Sequence, residues 1–342
     1  MKKTFNSKGK QEGNMDLLSN GKESRKVSVI GCGRWGSFIA WYLDRLGHTV
    51  SLYGRETSAN MSALRETRSN AYLTLPETVQ LTCDLDAVKV ADIVIISVGV
   101  QKLKEVANQL RDIGLTRKML VLCMKGIEIT TGKRPTQVIE DIIDGSNKTA
   151  VWLGPGHVQE FCRGVPNCMV IDSADEETKN ALIDAFTSKL IRFYYGNDLI
   201  GNEIGAAAKN VIGIAAGMLD GYEISSLKGA LMARGTREIG RLILAAGGSE
   251  NSVYGLCHLG DYEATVFSRF SQNRAYGEQF VQGKSYDKLA EGYYTVKALL
   301  DMGVCCGVEL PICEAVYQIL YCGMEPASIL EMLFSRNLKN EF

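Results

Sequence analysis

The stretch VIGCGRWG, residues 29–36, constrains the fold more than any other part of the chain. An apolar run, KVSVIG, leads into it, and an amphipathic run, RWGSFIAWYLDRLG, leads out. Gly31, Gly33 and Gly36 fall in the spacing G-x-G-x-x-G. Each answers a steric demand: Gly31 allows a tight turn off a strand, Gly33 lets the backbone approach a pyrophosphate, and Gly36 lets the helix lie close to the strand. A helix opening there turns its free N–H groups and positive dipole end toward an anion. The reading is a βαβ unit that binds a dinucleotide, with Gly47 ending the helix. The next strand, HTVSLYG, ends at Gly54, Arg55 and Glu56. An acid at its tip would bond the ribose 2′-hydroxyl of NAD, whereas Arg55 suits a 2′-phosphate or stacks on adenine, so the cofactor reading leans to NADPH over NADH.

Further buried-strand runs follow in ADIVIISVG, MLVLCMKG, TAVWLGPG and KLIRFYYG, the last expected to close the sheet. Strands alternating with helical segments predict a mostly parallel, doubly wound Rossmann-type sheet over residues 25–196. From Leu199 onward helical periodicity dominates, so residues 197–342 are expected to form an all-α domain that binds substrate and carries catalysis. A chain of 342 residues agrees with two domains. Residues 1–24 are polar, lack the apolar run of a signal peptide, and are expected to be a disordered tail, with Met15 an alternative start.

A net charge of −1 gives no overall field to recruit nucleic acid or an anionic membrane, and no membrane span is expected. The ten cysteines show no paired metal-ligand spacing, and Cys305 and Cys306 are adjacent. Reduced thiols, no metal and a cytoplasmic location are the expectation.

IGAAAKNVIGIAAGML, residues 204–219, is small and apolar almost all round, yet holds Lys209 and Asn210 at its middle. A buried ammonium group is costly, so its pKa falls and it can pass protons near neutrality. Lys209 is therefore either an acid for a carbonyl reduction or a lysine that lays its stem over small residues and keeps its charge in water. CMKGIE places Lys125 just past a buried strand, at the binding edge of such a sheet. HLGDYEATVFSRFSQNRAYG gathers Asp261, Thr265, Ser271, Gln272, Asn273 and Arg274; Asp261 could orient Lys209, and the others could hold an anion.

Taken together, VIGCGRWG, GHTVSLYGRE, CMKGIE, LGPG, IGAAAKNVIGIAAGMLDG, GDYEAT, SQNRAYG, AEGYYT and LPICEAVYQILYCG resemble the NAD(P)-dependent glycerol-3-phosphate dehydrogenases, in that family's order and rough spacing. The resemblance implies reversible reduction of dihydroxyacetone phosphate to sn-glycerol 3-phosphate, which supplies phospholipid synthesis, and a homodimer. It implies that Lys209 is the proton donor and acceptor, with Asp261 beside it. Lys125, Gly154, Gly156, Thr265, Ser271, Gln272 and Asn273 match substrate-binding positions. Gly31, Gly33, Arg34, Trp35, Gly36, Arg55, Lys125, Val158, Gln272 and Glu291 match cofactor-binding ones. The chain departs from the family in three places. Gln272 replaces the first arginine of an Arg-Asn-Arg run, Gly156 stands where bacterial members have Thr or Ser, and VGVQ lacks a usual proline. Gln cannot supply a bidentate cation; Arg269 and Arg274 are the nearby candidates to compensate, and the sequence does not show that either points inward. These departures keep two alternatives in view: a same-fold reductase of another small 2-oxo or hydroxy compound, and a non-catalytic NAD(P)-binding redox sensor.

Overall fold

The protein is described from a computed structural model covering residues 23–338 and 340. The tail expected over residues 1–24 lies, up to residue 22, outside the described residues.

Eight strands form one sheet: β1 (Lys26–Ile30), β2 (Thr49–Tyr53), β3 (Gln80–Thr82), β4 (Ile93–Ile96), β5 (Met119–Leu122), β6 (Lys148–Leu153), β7 (Asn167–Asp172) and β8 (Ile191–Tyr195). Their order is β3-β2-β1-β4-β5-β6-β7-β8. All neighbours are parallel except β6 and β7. The chain winds outward through β2 and β3, then returns to β4 on the other side of β1. That reversal opens a crevice at the carboxyl ends of β1 and β4, where such sheets take their ligands.

Helices α1 (Arg34–Arg45), α2 (Ala59–Thr67), α3 (Leu103–Asp112), α4 (Pro135–Glu140), α5 (Val158–Phe161) and α6 (Glu176–Phe186) connect the strands. Alternate side chains along each strand feed two cores. Val29, Leu52, Ile95, Val121 and Trp152 pack with Phe38, Tyr42 and Leu43 of α1 and Phe186 of α6. Val94, Ile96, Leu120, Leu122 and Leu153 pack with Leu103, Ala107 and Leu110 of α3 and Val138 and Ile139 of α4. The sheet so described has two strands that the sequence reading omitted. In β3, QLT is short and only partly buried, and in β7, NCMVID carries an apolar run of only four residues between Asn167 and Asp172, with no turn glycine to mark its end, so neither reads as a strand. The link from β6 to β7 contains only the one-turn α5, too little for a parallel crossover, and the pair runs antiparallel.

After β8 the chain is helical: α7 (Leu199–Gly221), α8 (Lys228–Ala245), α9 (Gln272–Val281), α10 (Glu291–Cys306), α11 (Pro311–Cys322) and α12 (Pro326–Phe334). Asp198 caps α7 by accepting from Gly201 N at 3.0 Å. Ile204, Ala207, Ala208, Val211 and Ile214 put α7 at the centre of a third core, with Ile239 and Leu242 of α8, Val296 and Leu299 of α10 and Val316 of α11 around it. Among the described residues, no helix is long and apolar enough to cross a membrane, and all ten cysteines are free thiols.

Candidate active site

The glycine turn has the geometry that its spacing demands. Gly31 has φ +110°, and a Cβ there would lie 2.3 Å from Ser97 O. A Cβ on Gly36 would lie 1.8 Å from Gly31 O, so helix and turn touch directly. A Cβ on Gly33, in contrast, would meet nothing within 4 Å. The backbone is thus open on the side where a pyrophosphate would approach, and Gly33, the N-cap of α1, leaves the helix's free N–H groups without a side-chain cap. Arg34 is exposed, its guanidinium 5.9 Å from the centroid of the Tyr72 ring. Trp35 is partly buried on Phe38, with ring centroids 5.2 Å apart. At the tip of β2, Gly54 is packed against the Cys32 thiol and Met61, and Arg55 and Glu56 are exposed.

Across the crevice, Glu291 opens α10, and its Oε1 faces Gly99 at the end of the β4 loop. Its Oε2 is buried without a hydrogen-bond partner, and burial pushes its carboxyl up to about 7 against the Val100 N–H that opposes it. A buried acceptor left unsatisfied calls for a donor from outside the chain. Together with the open Gly33 backbone, it fits a nicotinamide dinucleotide lying along the crevice.

Lys209 lies where α7 meets the sheet. Its Nζ contacts Asp261 Oδ2 at 2.8 Å and donates to Thr265 Oγ1 at 2.7 Å. Lys125, from the carboxyl end of β5, reaches the same Asp261 Oδ2 at 2.6 Å and donates to Gly154 O at 2.6 Å. Only 7% of the Lys209 side chain and 2% of that of Asp261 is exposed, against 24% for Lys125. Burial lowers the Lys209 pKa from 10.5 to about 8; Asp261 pulls it back up, and Lys125 adds to the lowering. Asp261 comes from a tight 3₁₀ turn, Leu259–Asp261, and Thr265 from a π-helical stretch, Glu263–Phe267, a wide turn that recurs at functional sites. Asn210 donates to Lys125 O at 3.1 Å, so α7 also braces the backbone of the second lysine.

Most of the remaining residues named from sequence stand in structural contacts of their own. Ser271 caps α9, accepting from Arg274 N at 3.3 Å. Asn273 Oδ1 accepts from Gly292 N at 2.9 Å and so fixes the start of α10 beside Glu291. Gln272 Oε1 accepts from Tyr286 OH at 2.7 Å. Gly156 has φ +147°, and a Cβ there would lie 2.4 Å from the Phe161 ring, so this position excludes a Thr or Ser side chain. Val158, at the start of α5, is buried. The two arginines near Gln272 are engaged elsewhere. Arg274 pairs with Asp220 at 2.7 Å and Glu278 at 3.0 Å, and Arg269 is exposed over the Phe270 ring at 5.0 Å.

Two residues were missed from sequence. Tyr286 sits in the unremarkable GKSYDK and gave no signal. His157, in the electrostatic field of Asp261, Arg34 and Lys209, has a buried, unpartnered Nε2. Its signal was its place directly after LGPG, at the sheet's binding edge. Among the described residues no cluster of His, Cys, Asp and Glu is arranged to hold a metal ion.

A dinucleotide crevice in a doubly wound sheet, with a buried lysine–aspartate pair from the helical half of the chain beside it, fits a nicotinamide-dependent dehydrogenase. The family model for the NAD-dependent glycerol-3-phosphate dehydrogenase N-terminus matches residues 26–179, and that for its C-terminus matches residues 198–331. The glycerol-3-phosphate dehydrogenase [NAD(P)+] of Chlorobium limicola is 36% identical, over 92% of this chain and 99% of its own. That of a Thermoanaerobacter species is 33% identical, over 92% and 98%. A solved glycerol-3-phosphate dehydrogenase from Coxiella burnetii superposes with a TM-score of 0.84 at 26% identity, covering 92% of this chain and 99% of that one. The chain belongs to the NAD-dependent glycerol-3-phosphate dehydrogenase family.

Proposed function

We propose that this protein reduces dihydroxyacetone phosphate to sn-glycerol 3-phosphate, reversibly, in the crevice between the sheet and α7. The observation that carries the reading is the buried Lys209–Asp261 contact at 2.8 Å, on a lysine whose pKa has fallen to about 8. When bound, a reduced nicotinamide supplies the hydride for the ketone carbon. Lys209 holds the proton that goes to the ketone oxygen, and in reverse its neutral amine takes the proton from the hydroxyl. Asp261 keeps Lys209 in place and partly offsets the desolvation of its charge. Lys125 and Lys209 share one carboxylate, so with both lysines protonated the cluster keeps a net positive charge, which favours an anionic substrate. Gly31, Gly33 and Gly36 support a role in holding the pyrophosphate, and Glu291 a role as acceptor for a cofactor donor. The exposed Arg55 and the absence of an acid at Gly54 support NADPH over NADH. Family membership supports a homodimer, a place in phospholipid synthesis and a cytoplasmic site of action, with residues 25–196 and 197–342 as the two domains.

A second reading, reduction of another small 2-oxo compound, is favoured by Gln272 and by the steric exclusion of a side chain at Gly156. Following cofactor absorbance with NADPH and with NADH separates the two. The expected outcome is rapid oxidation with dihydroxyacetone phosphate, slow oxidation with dihydroxyacetone or 2-oxo acids, and a higher kcat/KM for NADPH. Equal rates with the unphosphorylated ketones would replace the first reading by the second.

A further inference from the structure

A chain of hydrogen bonds runs beside the Lys209–Asp261 contact, through His258, Tyr262 and Thr236, all buried. His258 Nδ1 lies 2.9 Å from Gly205 O. A carbonyl oxygen only accepts, so Nδ1 carries the ring proton and the neutral ring accepts at Nε2. Tyr262 OH, 2.7 Å from Nε2, is therefore its donor. With that proton spent, the longer 3.4 Å bond between Tyr262 and Thr236 is donated by the Thr236 hydroxyl of α8. Burial pushes the imidazole down to about 4, against the Gly205 bond that raises it, so the ring stays neutral near pH 7. Gly205 stands one turn before Lys209 in α7, and in a helix its carbonyl also accepts the backbone N–H of residue 209. The approach is close, since a Cβ on Gly205 would lie 3.1 Å from His258 Cβ. At its other end, His258 O accepts from Asp261 N at 3.0 Å. One residue thus bonds the lysine's helix through its ring and the aspartate's backbone through its carbonyl.

We propose that His258 is a positioning residue: its bond to Gly205 O docks the Leu259–Asp261 turn on α7 and so holds the Asp261 carboxylate against the Lys209 ammonium. Its effect on turnover rests on the functional reading above, in which Lys209 moves the proton. His258 moves none itself, since both ring nitrogens are engaged. Asp261, Lys125 and Cys257 act on the Lys209 charge, and His157 and His258 lie in its field. Asp261 gives the largest lift to the lysine pKa, Lys125 lowers it, and Cys257, its thiol pushed up to about 12 by burial, adds a smaller lift. A turn released from α7 takes Asp261 away from the amine, and the lysine pKa falls.

The test uses the full chain and the variants His258→Ala, His258→Asn, His258→Gln, Asp261→Asn and Asp261→Asn/His258→Ala, each checked for folding by circular dichroism. It reads kcat for dihydroxyacetone phosphate reduction against pH, and the Kd of NADPH by fluorescence. His258→Ala is expected to move the limb at about 8 down by about one pH unit. Its kcat then falls about fivefold at pH 8 and stays near wild type at pH 6, with the NADPH Kd unchanged. A histidine needed only for folding would lower kcat equally at both values and leave the limb in place, which overturns the proposal. The Asn amide nitrogen takes the place of Nδ1 and keeps the Gly205 bond, so His258→Asn is expected to hold the wild-type limb. The Gln amide reaches toward Nε2 instead and loses that bond, so His258→Gln is expected to shift like His258→Ala; this pair decides the matter if His258→Ala does not fold. Equal limbs in the Asn and Gln variants overturn the proposal. In the double variant no shift beyond that of Asp261→Asn is expected; a full additive shift would mean that His258 does not act through Asp261. If Lys209→Ala keeps the wild-type limb, the functional reading fails separately. The crystal structure of His258→Gln then decides the tie alone: Asp261 Oδ2 drawn away from Lys209 Nζ supports it, and an unchanged 2.8 Å contact overturns it.

Discussion

Lys209 is an ammonium group with almost no access to water, held by one carboxylate and one hydroxyl. Desolvation disfavours its charged form more than Asp261 favours it, and the pKa falls from 10.5 to about 8. The sign of the pH dependence follows. If Lys209 donates the proton as proposed, ketone reduction needs the protonated amine, so kcat in that direction is expected to fall as pH rises through about 8. Alcohol oxidation needs the neutral amine, so its kcat is expected to rise over the same range. Asp261→Asn removes the charge that raises the lysine pKa, so both limbs are expected to move to lower pH. Lys209→Ala is expected to lower kcat at least ~100-fold, flatten both limbs and leave the NADPH Kd nearly intact. A variant that keeps either limb at pH 8 would show that another group carries the proton. Lys209 as a cation at odds with an apolar helix was legible in the sequence, because the conflict is local. One oxygen of Asp261 serving two ammonium groups was not: Lys125 and Asp261 lie 136 residues apart, and only the closed fold brings them to 2.6 Å.

At the scale of elements, α7 is built for close approach, and its glycines show where. Gly213, Gly217 and Gly221 recur every four residues, on one face of the helix. A Cβ on Gly217 would lie 1.9 Å from Arg274 O, and one on Gly277 of α9 would lie 2.0 Å from Ile214 O. The two backbones therefore touch, and this contact sets Ser271, Gln272 and Asn273 against the lysine helix. Gly217→Ala should gain helix propensity locally and lose more through overpacking. The expected net loss is about 1–3 kcal/mol or more in denaturant unfolding, with a raised KM as α9 is pushed outward. Unchanged stability would mean that α9 can shift without cost. The sequence reading took these small residues as a sign of close neighbours but could not say which helix, since periodicity marks a face and not its partner. The same limit hid β3 and β7: a three-residue edge strand and an apolar run of four between Asn and Asp carry too little pattern to separate from loop. The glycine turn was legible for the opposite reason: its signature spacing lies within eight residues of chain, even though the atom that crowds Gly31 is Ser97 O, beyond β4.

For the whole molecule, the chemistry depends on how firmly the helical unit is fixed to the sheet, because Lys209 and Lys125 come from opposite sides of that seam. One buried tie is Glu203, in the second turn of α7 and ion-paired with Arg134 at the start of α4. It also accepts from Thr136 N at 2.9 Å and from Thr136 Oγ1 at 2.7 Å. Burial nevertheless raises the Glu203 pKa, so desolvation outweighs the pairing. Such a pair adds little net stability, yet breaking it leaves a cation without its partner. Glu203→Ala is therefore expected to cost about 3–5 kcal/mol in denaturant unfolding, and Arg134→Ala/Glu203→Ala clearly less, because the stranded charge is gone. Turnover should not follow stability. If the pair serves to hold α7 in register with the β5 edge, both variants misplace Lys209 relative to Lys125, and a shift of about 1 Å can cost 100-fold in rate. The double variant is expected to regain stability while kcat stays low and the NADPH Kd, set at the glycine turn, is unchanged. Recovery of kcat together with stability would show that the seam needs only to be folded, not held at this one point.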